Sequence, residues 1–208
     1  MKKLLNEIDK LKNSEVKHIV DSRLAEFESL GKKSSRELFK ELCFCILTAN
    51  FRADKSMYVQ KEIGDGFLIL PKAQLAGKLK ELGCRFHTNK AGYIVEARRH
   101  ADSIRDTSGL FDNTMEFREW LVKNVKGLGY KEASHYLRNT GHNDVAIIDF
   151  HIIDVLEEYG LLAKPKTMTR KIYLEIENTL KKLSSKAGLS LGELDLYLWY
   201  IETGTVLK

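Results

Sequence analysis

Apolar side chains recur at three- and four-residue spacing along most of this chain, and only two prolines, Pro71 and Pro165, interrupt it. Such a pattern gives each segment one continuous apolar face as a helix, whereas a half-buried strand needs a period of two. Alternation of that kind is not sustained anywhere, so the expected fold is nearly all helix. Leu38, Phe39, Leu42, Ile46 and Leu47 form one such face behind a capping signal at Ser34-Ser35-Arg36-Glu37, which predicts a well-buried central helix ending near Asn50. Tyr93, Ile94, Ala97, Ala101 and Ile104 predict another from Asn89 to about Asp106. Its polar side carries Arg98, Arg99, His100 and Arg105, a stripe that could follow phosphates or be an ordinary solvated face. Further helices are expected over Glu116–Asn124, Tyr130–Asn139, Phe150 to about Tyr159, Met168 to Leu183 and Leu189 to Ile201.

A chain of 208 residues can bury a real core, as one domain or as two small, closely packed ones. Lys and Arg number 34 against 29 Asp and Glu, a net charge of +5 that leans modestly toward an anionic partner. Three cysteines with no C-x-x-C pair provide neither a disulfide framework nor a four-thiolate iron-sulfur or zinc site, and fit free thiols in a reducing compartment. The first residues, Met1-Lys2-Lys3-Leu4-Leu5-Asn6-Glu7-Ile8-Asp9-Lys10, lack the apolar stretch of a signal peptide. Nothing approaches the ~20 apolar residues of a membrane span. An intracellular protein without a membrane partner is expected.

Chemistry concentrates in Val125-Lys126-Gly127-Leu128-Gly129-Tyr130-Lys131 and, downstream, in Val145-Ala146-Ile147-Ile148-Asp149-Phe150-His151. Gly127 and Gly129 between two helices permit positive backbone torsions and a tight turn whose amides, near a helix N-terminus, suit a phosphate. A bare G-x-G also fits a simple turn between packed helices. Here Val125, Leu128 and the flanking helices add the helix-hairpin-helix pattern of DNA-binding proteins. The first turn of a helix disfavours positive charge on Lys131, and partial burial against Leu128 or a bound base would act in the same direction, which favours the neutral, nucleophilic amine. Lys131 could equally be a surface lysine touching phosphate. Asp149 suits an N-cap for the helix starting at Phe150, a role compatible with catalysis because a cap fixes the carboxylate's direction.

At these residues the chain resembles the endonuclease III-like helix-hairpin-helix superfamily of DNA glycosylases. Within it the chain is most similar to the compact archaeal-type 8-oxoguanine DNA glycosylase/AP lyases, over essentially its whole length. Leu47-Thr48-Ala49-Asn50, Arg85-Phe86-His87-Thr88-Asn89-Lys90-Ala91, the hairpin through Lys131, Ile148-Asp149-Phe150-His151 and the end shortly after Trp199 carry the likeness. The resemblance implies an all-α fold of two closely packed helical subdomains without an iron-sulfur cluster. It implies a single domain over 1–208, an active-site cleft between two lobes and the hairpin at about 125–130.

The resemblance also implies roles. Lys131 is the Schiff-base nucleophile and Asp149 the carboxylate that assists it, while Gly127 and Gly129 hold the DNA backbone. Phe86 is a wedge in the vacated stack, and Arg85 with Asn50 bonds the stranded cytosine, although Phe86 equally fits a core aromatic under a loop. Trp199 stacks on the flipped base or fills the core. Lys208, the last residue, is similar to the family's purine clamp, which uses its terminal carboxylate. No cofactor or metal is implied. The expected partner is double-stranded DNA containing 8-oxoguanine, met by a monomer in the cytoplasm at the nucleoid of a prokaryotic cell. Two alternatives stay open, another oxidised-base or mismatch glycosylase of the superfamily and a non-catalytic DNA-binding module.

Overall fold

The computed structural model describes every residue, 1–208, as thirteen α-helices with one 3-10 turn and no strand. In chain order they are α1 (Lys2–Lys12), α2 (Val16–Gly31), α3 (Ser35–Thr48), α4 (Ala53–Ile63), α5 (Gly66–Ile69), α6 (Lys72–Glu81) and α7 (His87–Ala97). After the 3-10 turn at Arg98–His100 come α8 (Ile104–Ser108), α9 (Thr114–Asn124), α10 (Tyr130–Asn139), α11 (Phe150–Glu158), α12 (Arg170–Ala187) and α13 (Leu191–Thr203). The all-helical expectation holds. No helix is long and apolar enough to cross a membrane.

Two main apolar clusters form the core. The first is built around α3, where Phe39, Leu42, Phe44 and Leu47 are completely covered, and it draws in side chains from α4 to α10. The second joins α1, through Leu4 and Ile8, to α11, α12 and α13. Thus the chain's beginning packs with its end. A smaller cluster seats Val16, Val20 and Phe27 of α2 against Leu196 and Tyr197 of α13. Each fully covered Leu, Ile or Phe side chain contributes about 1.5–3 kcal/mol before chain entropy is charged against it.

Between the clusters lies a buried ion pair. Arg118 of α9 and Glu177 of α12 are almost fully buried and meet through two hydrogen bonds of 2.5 and 2.9 Å. Arg118 also donates to Ser134 Oγ of α10 at 3.1 Å, and Glu177 accepts the Ala146 amide at 3.2 Å. The Tyr173 hydroxyl donates to the Ala146 carbonyl at 2.7 Å and accepts the Ile148 amide at 3.3 Å. The extended segment Val145–Ile148, which has no strand partner, thereby finds acceptors and donors in side chains.

The predicted helix from Asn89 to Asp106 is broken, and three of the four basic side chains of its polar stripe bond carbonyls of the chain. Arg98 turns inward to donate to the carbonyls of Phe67 and Leu70 at 2.7 and 2.6 Å. Arg99 takes the Asn124 carbonyl at the end of α9, and Arg105 the Lys32 and Lys33 carbonyls just beyond α2. These arginines cap helix C-termini, where the last carbonyls lack partners and the dipole favours a cation. At the start of α3, Ser34 holds the N-cap position but its side chain makes no capping bond.

Removing one member of a buried pair leaves an uncompensated charge, so Glu177→Gln is expected to lower unfolding free energy by about 3–5 kcal/mol in urea titration. By contrast, Asp102→Asn, which breaks the exposed pair with Arg36, should leave the midpoint essentially unmoved.

Candidate functional site

The hairpin joins α9 to α10. Gly127 has φ +91°, and a Cβ there would come within 2.5 Å of the Tyr93 ring, so both torsion and space require glycine. Gly129 departs from the expectation of positive torsions: it is the extended N-cap of α10 at φ −92°, ψ −171°. Its amide is already taken by Glu132 Oε2 at 3.1 Å, and that of Leu128 by the Val125 carbonyl at 3.2 Å. The amides of Gly127, Tyr130 and Lys131 have no acceptor within the chain, and two of these open the first turn of α10. An anion could bind there through unpaired donors reinforced by the helix dipole.

Lys131 rises from that first turn, with its side chain 24% exposed and its ammonium making no hydrogen bond; the nearest carboxylate oxygen, on Glu132, lies 3.9 Å away. Asp149 is the N-cap of α11, as its place in the sequence predicts, and its side chain accepts the Ile152 amide at 3.1 Å. Both act on Asp195 of α13, whose carboxyl is raised to about 6 chiefly by burial, with Asp149 pushing it up and Lys131 and Arg138 pulling it down. The charges of the amine and the carboxylate thus bear on one buried group with opposite sign.

Trp199 and His151 flank this region. Their rings meet edge to face at 4.7 Å, and Phe150, largely exposed, lies against His151 at 3.9 Å. Trp199 is only partly buried and stands outside the apolar clusters, yet its indole N–H is covered and without an acceptor. The His151 Nδ1 is likewise covered and makes no hydrogen bond, the Glu202 carboxylate lying 3.7 Å away, and both ring nitrogens of His135, one helical turn beyond Lys131 on α10, are covered without a hydrogen-bond partner. Burial, then the charges of Arg138, Lys131 and Lys208, keep the His135 ring well below the usual histidine range and hence neutral. Covered polar atoms without partners are uncommon in folded chains and often mark places where something else binds.

Lys208 is anchored by its side chain. The ammonium donates to Glu41 Oε2 at 2.8 Å and Gln60 Oε1 at 2.7 Å, and lies 4.3 Å from the centre of the Phe44 ring. Glu41, deep in α3, also accepts from Asn139 at 2.6 Å. His135 packs edge-on against the same Phe44 ring.

Asn50, Arg85 and Phe86 lie on two loops, one after α3 and one before α7. Asn50 and Phe86 are the only non-glycine residues with positive φ, at +53° and +55°. Left-handed backbone costs such residues about 1–2 kcal/mol each, a strain that tends to be kept at functional positions. Phe86 is 52% exposed, so it is not a core aromatic, and the Arg85 guanidinium sits 5.4 Å over its ring. Sequence reasoning missed Glu41, Lys90 and His135. A carboxylate immediately ahead of the apolar run Leu42–Leu47 of α3, and a histidine four positions after the lysine, were the available signals for the first and last.

A family model described as 8-oxoguanine DNA glycosylase matches residues 20–189. The 8-oxoguanine DNA glycosylase/AP lyase of Methanocaldococcus jannaschii is 55% identical over 99% of both chains. That of Korarchaeum cryptofilum is 52% identical over 99% of this chain and 98% of its own. Among solved structures, M. jannaschii 8-oxoguanine glycosylase/lyase in complex with a 15mer DNA containing 8-oxoguanine matches with a TM-score of 0.96 at 55% identity, over 99% of each chain. The 8-oxoguanine DNA glycosylase of Thermotoga maritima matches at 0.93 and 42% identity, over 100% of this chain and 99% of its own.

The Glu41–Lys208 pair predicts a coupling. In a double-mutant cycle of Glu41→Gln and Lys208→Met, urea unfolding should return an interaction energy of about 1–3 kcal/mol. Additive losses would mean that the ammonium is not held by Glu41.

Proposed function

The chain belongs to the 8-oxoguanine DNA glycosylase family, and on that premise we propose that it excises 8-oxoguanine from duplex DNA and then cleaves the strand as an AP lyase. The observation that carries the residue assignment is the pairing of an uncommitted amine with an oriented carboxylate: Lys131 makes no hydrogen bond, while Asp149 is aimed by its cap to Ile152.

In this reading Lys131 Nζ, in its neutral form, attacks C1′ of the extruded nucleotide. The bond from C1′ to the base breaks and its electron pair leaves with the base, which takes up a proton. The sugar passes through an oxocarbenium-like centre, and the Asp149 carboxylate favours that developing charge. The attached nitrogen loses a proton, the C1′–O4′ bond breaks with O4′ taking up a proton, and a protonated imine joins Lys131 to C1′. Loss of a proton from C2′ then expels the 3′ phosphate, so one lysine serves both activities.

Extrusion costs a few kcal/mol of unstacking, and the vacated space needs a filler. Phe86 is the wedge, exposed and set apart by its strained backbone, and Arg85 with Asn50 addresses the base left behind. Trp199, with His151 against its ring, lines the pocket for the flipped base, and Lys208 takes part in reading it. Gly127, through its turn, and Gly129, as the N-cap, shape a hairpin whose unpaired amides hold a DNA phosphate without reading sequence. The two lobes form one functional domain, with the cleft between the apolar clusters. The protein works as a monomer in the cytoplasm, at the nucleoid.

Borohydride should lock the native protein to a duplex containing 8-oxoguanine, and Lys131→Gln should abolish that adduct while DNA binding survives, since the hairpin amides are untouched. Base removal should slow by about 100-fold or more in Asp149→Asn, because the charge that favours the transition state is gone. Strand cleavage retained in Lys131→Gln would assign the nucleophile to another amine.

A further inference from the structure

We propose that Lys90 is a positioning residue for the duplex-invading loops, its buried ammonium stapling the loop that carries Asn50 to the loop that carries Arg85 and Phe86. The inference rests on the wedge reading above and adds a residue to it.

Lys90 stands in the first turn of α7 and is almost fully buried. Its Nζ donates to the Leu47 carbonyl at 2.7 Å, lies 3.9 Å from Cys84 Sγ, and sits 5.1 Å from the centre of the Phe51 ring. Leu47 is in the last turn of α3, just ahead of Asn50; Phe51 follows Asn50 and Cys84 precedes Arg85. One cation thus touches both loops on their buried sides.

The end of α3 explains why it is needed. A helix C-terminus commonly satisfies its last carbonyls with a left-handed glycine. Here Ala49 takes φ −59°, ψ 114° and Asn50, not glycine, takes the left-handed turn. The Leu47 carbonyl is instead satisfied by an ammonium from another helix, whose charge also suits the helix dipole. On the far loop the left-handed Phe86 is the N-cap of α7, again without glycine's tolerance. Two strained residues persist only if the surroundings over-determine them.

A buried cation is an expensive cap for a single carbonyl, and its bonded partners here are a carbonyl and a thiol, with no carboxylate among them. Burial accordingly pulls the Lys90 amine below the ordinary lysine value. What the arrangement supplies is a fixed separation between the loops, so that Asn50 and Arg85 can address the same unpaired base while Phe86 enters the stack.

The test compares single-turnover excision of 8-oxoguanine placed opposite cytosine with excision opposite a tetrahydrofuran abasic analogue, which offers no base to hold. Lys90→Met removes the ammonium and keeps the apolar stem. It should slow excision opposite cytosine by about ten-fold more than opposite tetrahydrofuran, and Lys90→Arg should recover most of that difference. Combined with Phe86→Ala, it should add little to the slower single variant, because both act through one wedge. Equal losses on the two duplexes, or additive losses, would overturn the proposal. If thermal melting shows Lys90→Met unfolded, Lys90→Gln, which keeps a polar end on a side chain one atom shorter, takes its place and should show a loss of the same kind; no dependence on the opposite base would again overturn it. A Phe86→Ala variant indifferent to the opposite base sinks the wedge reading and the staple with it, whereas a sensitive Phe86→Ala beside an indifferent Lys90→Met sinks the staple alone.

Discussion

The buried pair of Arg118 and Glu177 is the interaction on which the geometry of the site depends. Its members come from α9, which leads into the hairpin, and α12, which packs against the C-terminal cluster. Through Ser134 it reaches α10, the helix of Lys131, and through Ala146 it fixes the extended segment that delivers Asp149. Two charges out of water cost several kcal/mol each; the two-fold contact and the bonds to Ser134 and the Ala146 amide offset much of that here, although Arg118 Nε is covered without an acceptor. The placing of those atoms in turn ties lysine and aspartate to one rigid frame, which a purely apolar interface would do with less directionality.

How much of this was legible in the sequence depends on how local the cause was. Tyr130–Asn139 has the observed bounds of α10, and Asp149 caps α11 as predicted, because a hairpin glycine and a capping carboxylate act within a few residues. The single helix expected over Asn89–Asp106 is instead α7, a 3-10 turn and α8. Its interruption accompanies side-chain bonds from Arg98 and Arg105 to carbonyls remote in sequence, which no local pattern encodes. Pairing of G-x-G torsions also misled: Gly127 needs the positive φ, while Gly129 is extended and serves as the cap.

The site divides in the same way. Residue type and spacing single out Lys131 and Asp149 but leave a phosphate contact and a plain helix cap open, and their catalytic roles came from resemblance; Phe86, Asn50, Arg85, Trp199 and Lys208 entered through resemblance alone. What sets Asn50 and Phe86 apart physically is their left-handed backbone, a property of the folded loops. Glu41, Lys90, Arg118 and Glu177 read in sequence as ordinary charges, which are usually solvated. Folding buries all four, and each is used to hold something: the Lys208 ammonium, the two loops, and the segment before Asp149. Buried ions are the least visible part of this sequence and the part that most constrains its site.

Assignment of the covalent step to the amine of Lys131 is tested most directly by peptide mapping, by mass spectrometry, of the borohydride-reduced adduct formed on 8-oxoguanine duplex. The sugar remnant is expected on the peptide that contains Lys131; a remnant on Lys90, on Lys208 or on the N-terminal amine would contradict that assignment.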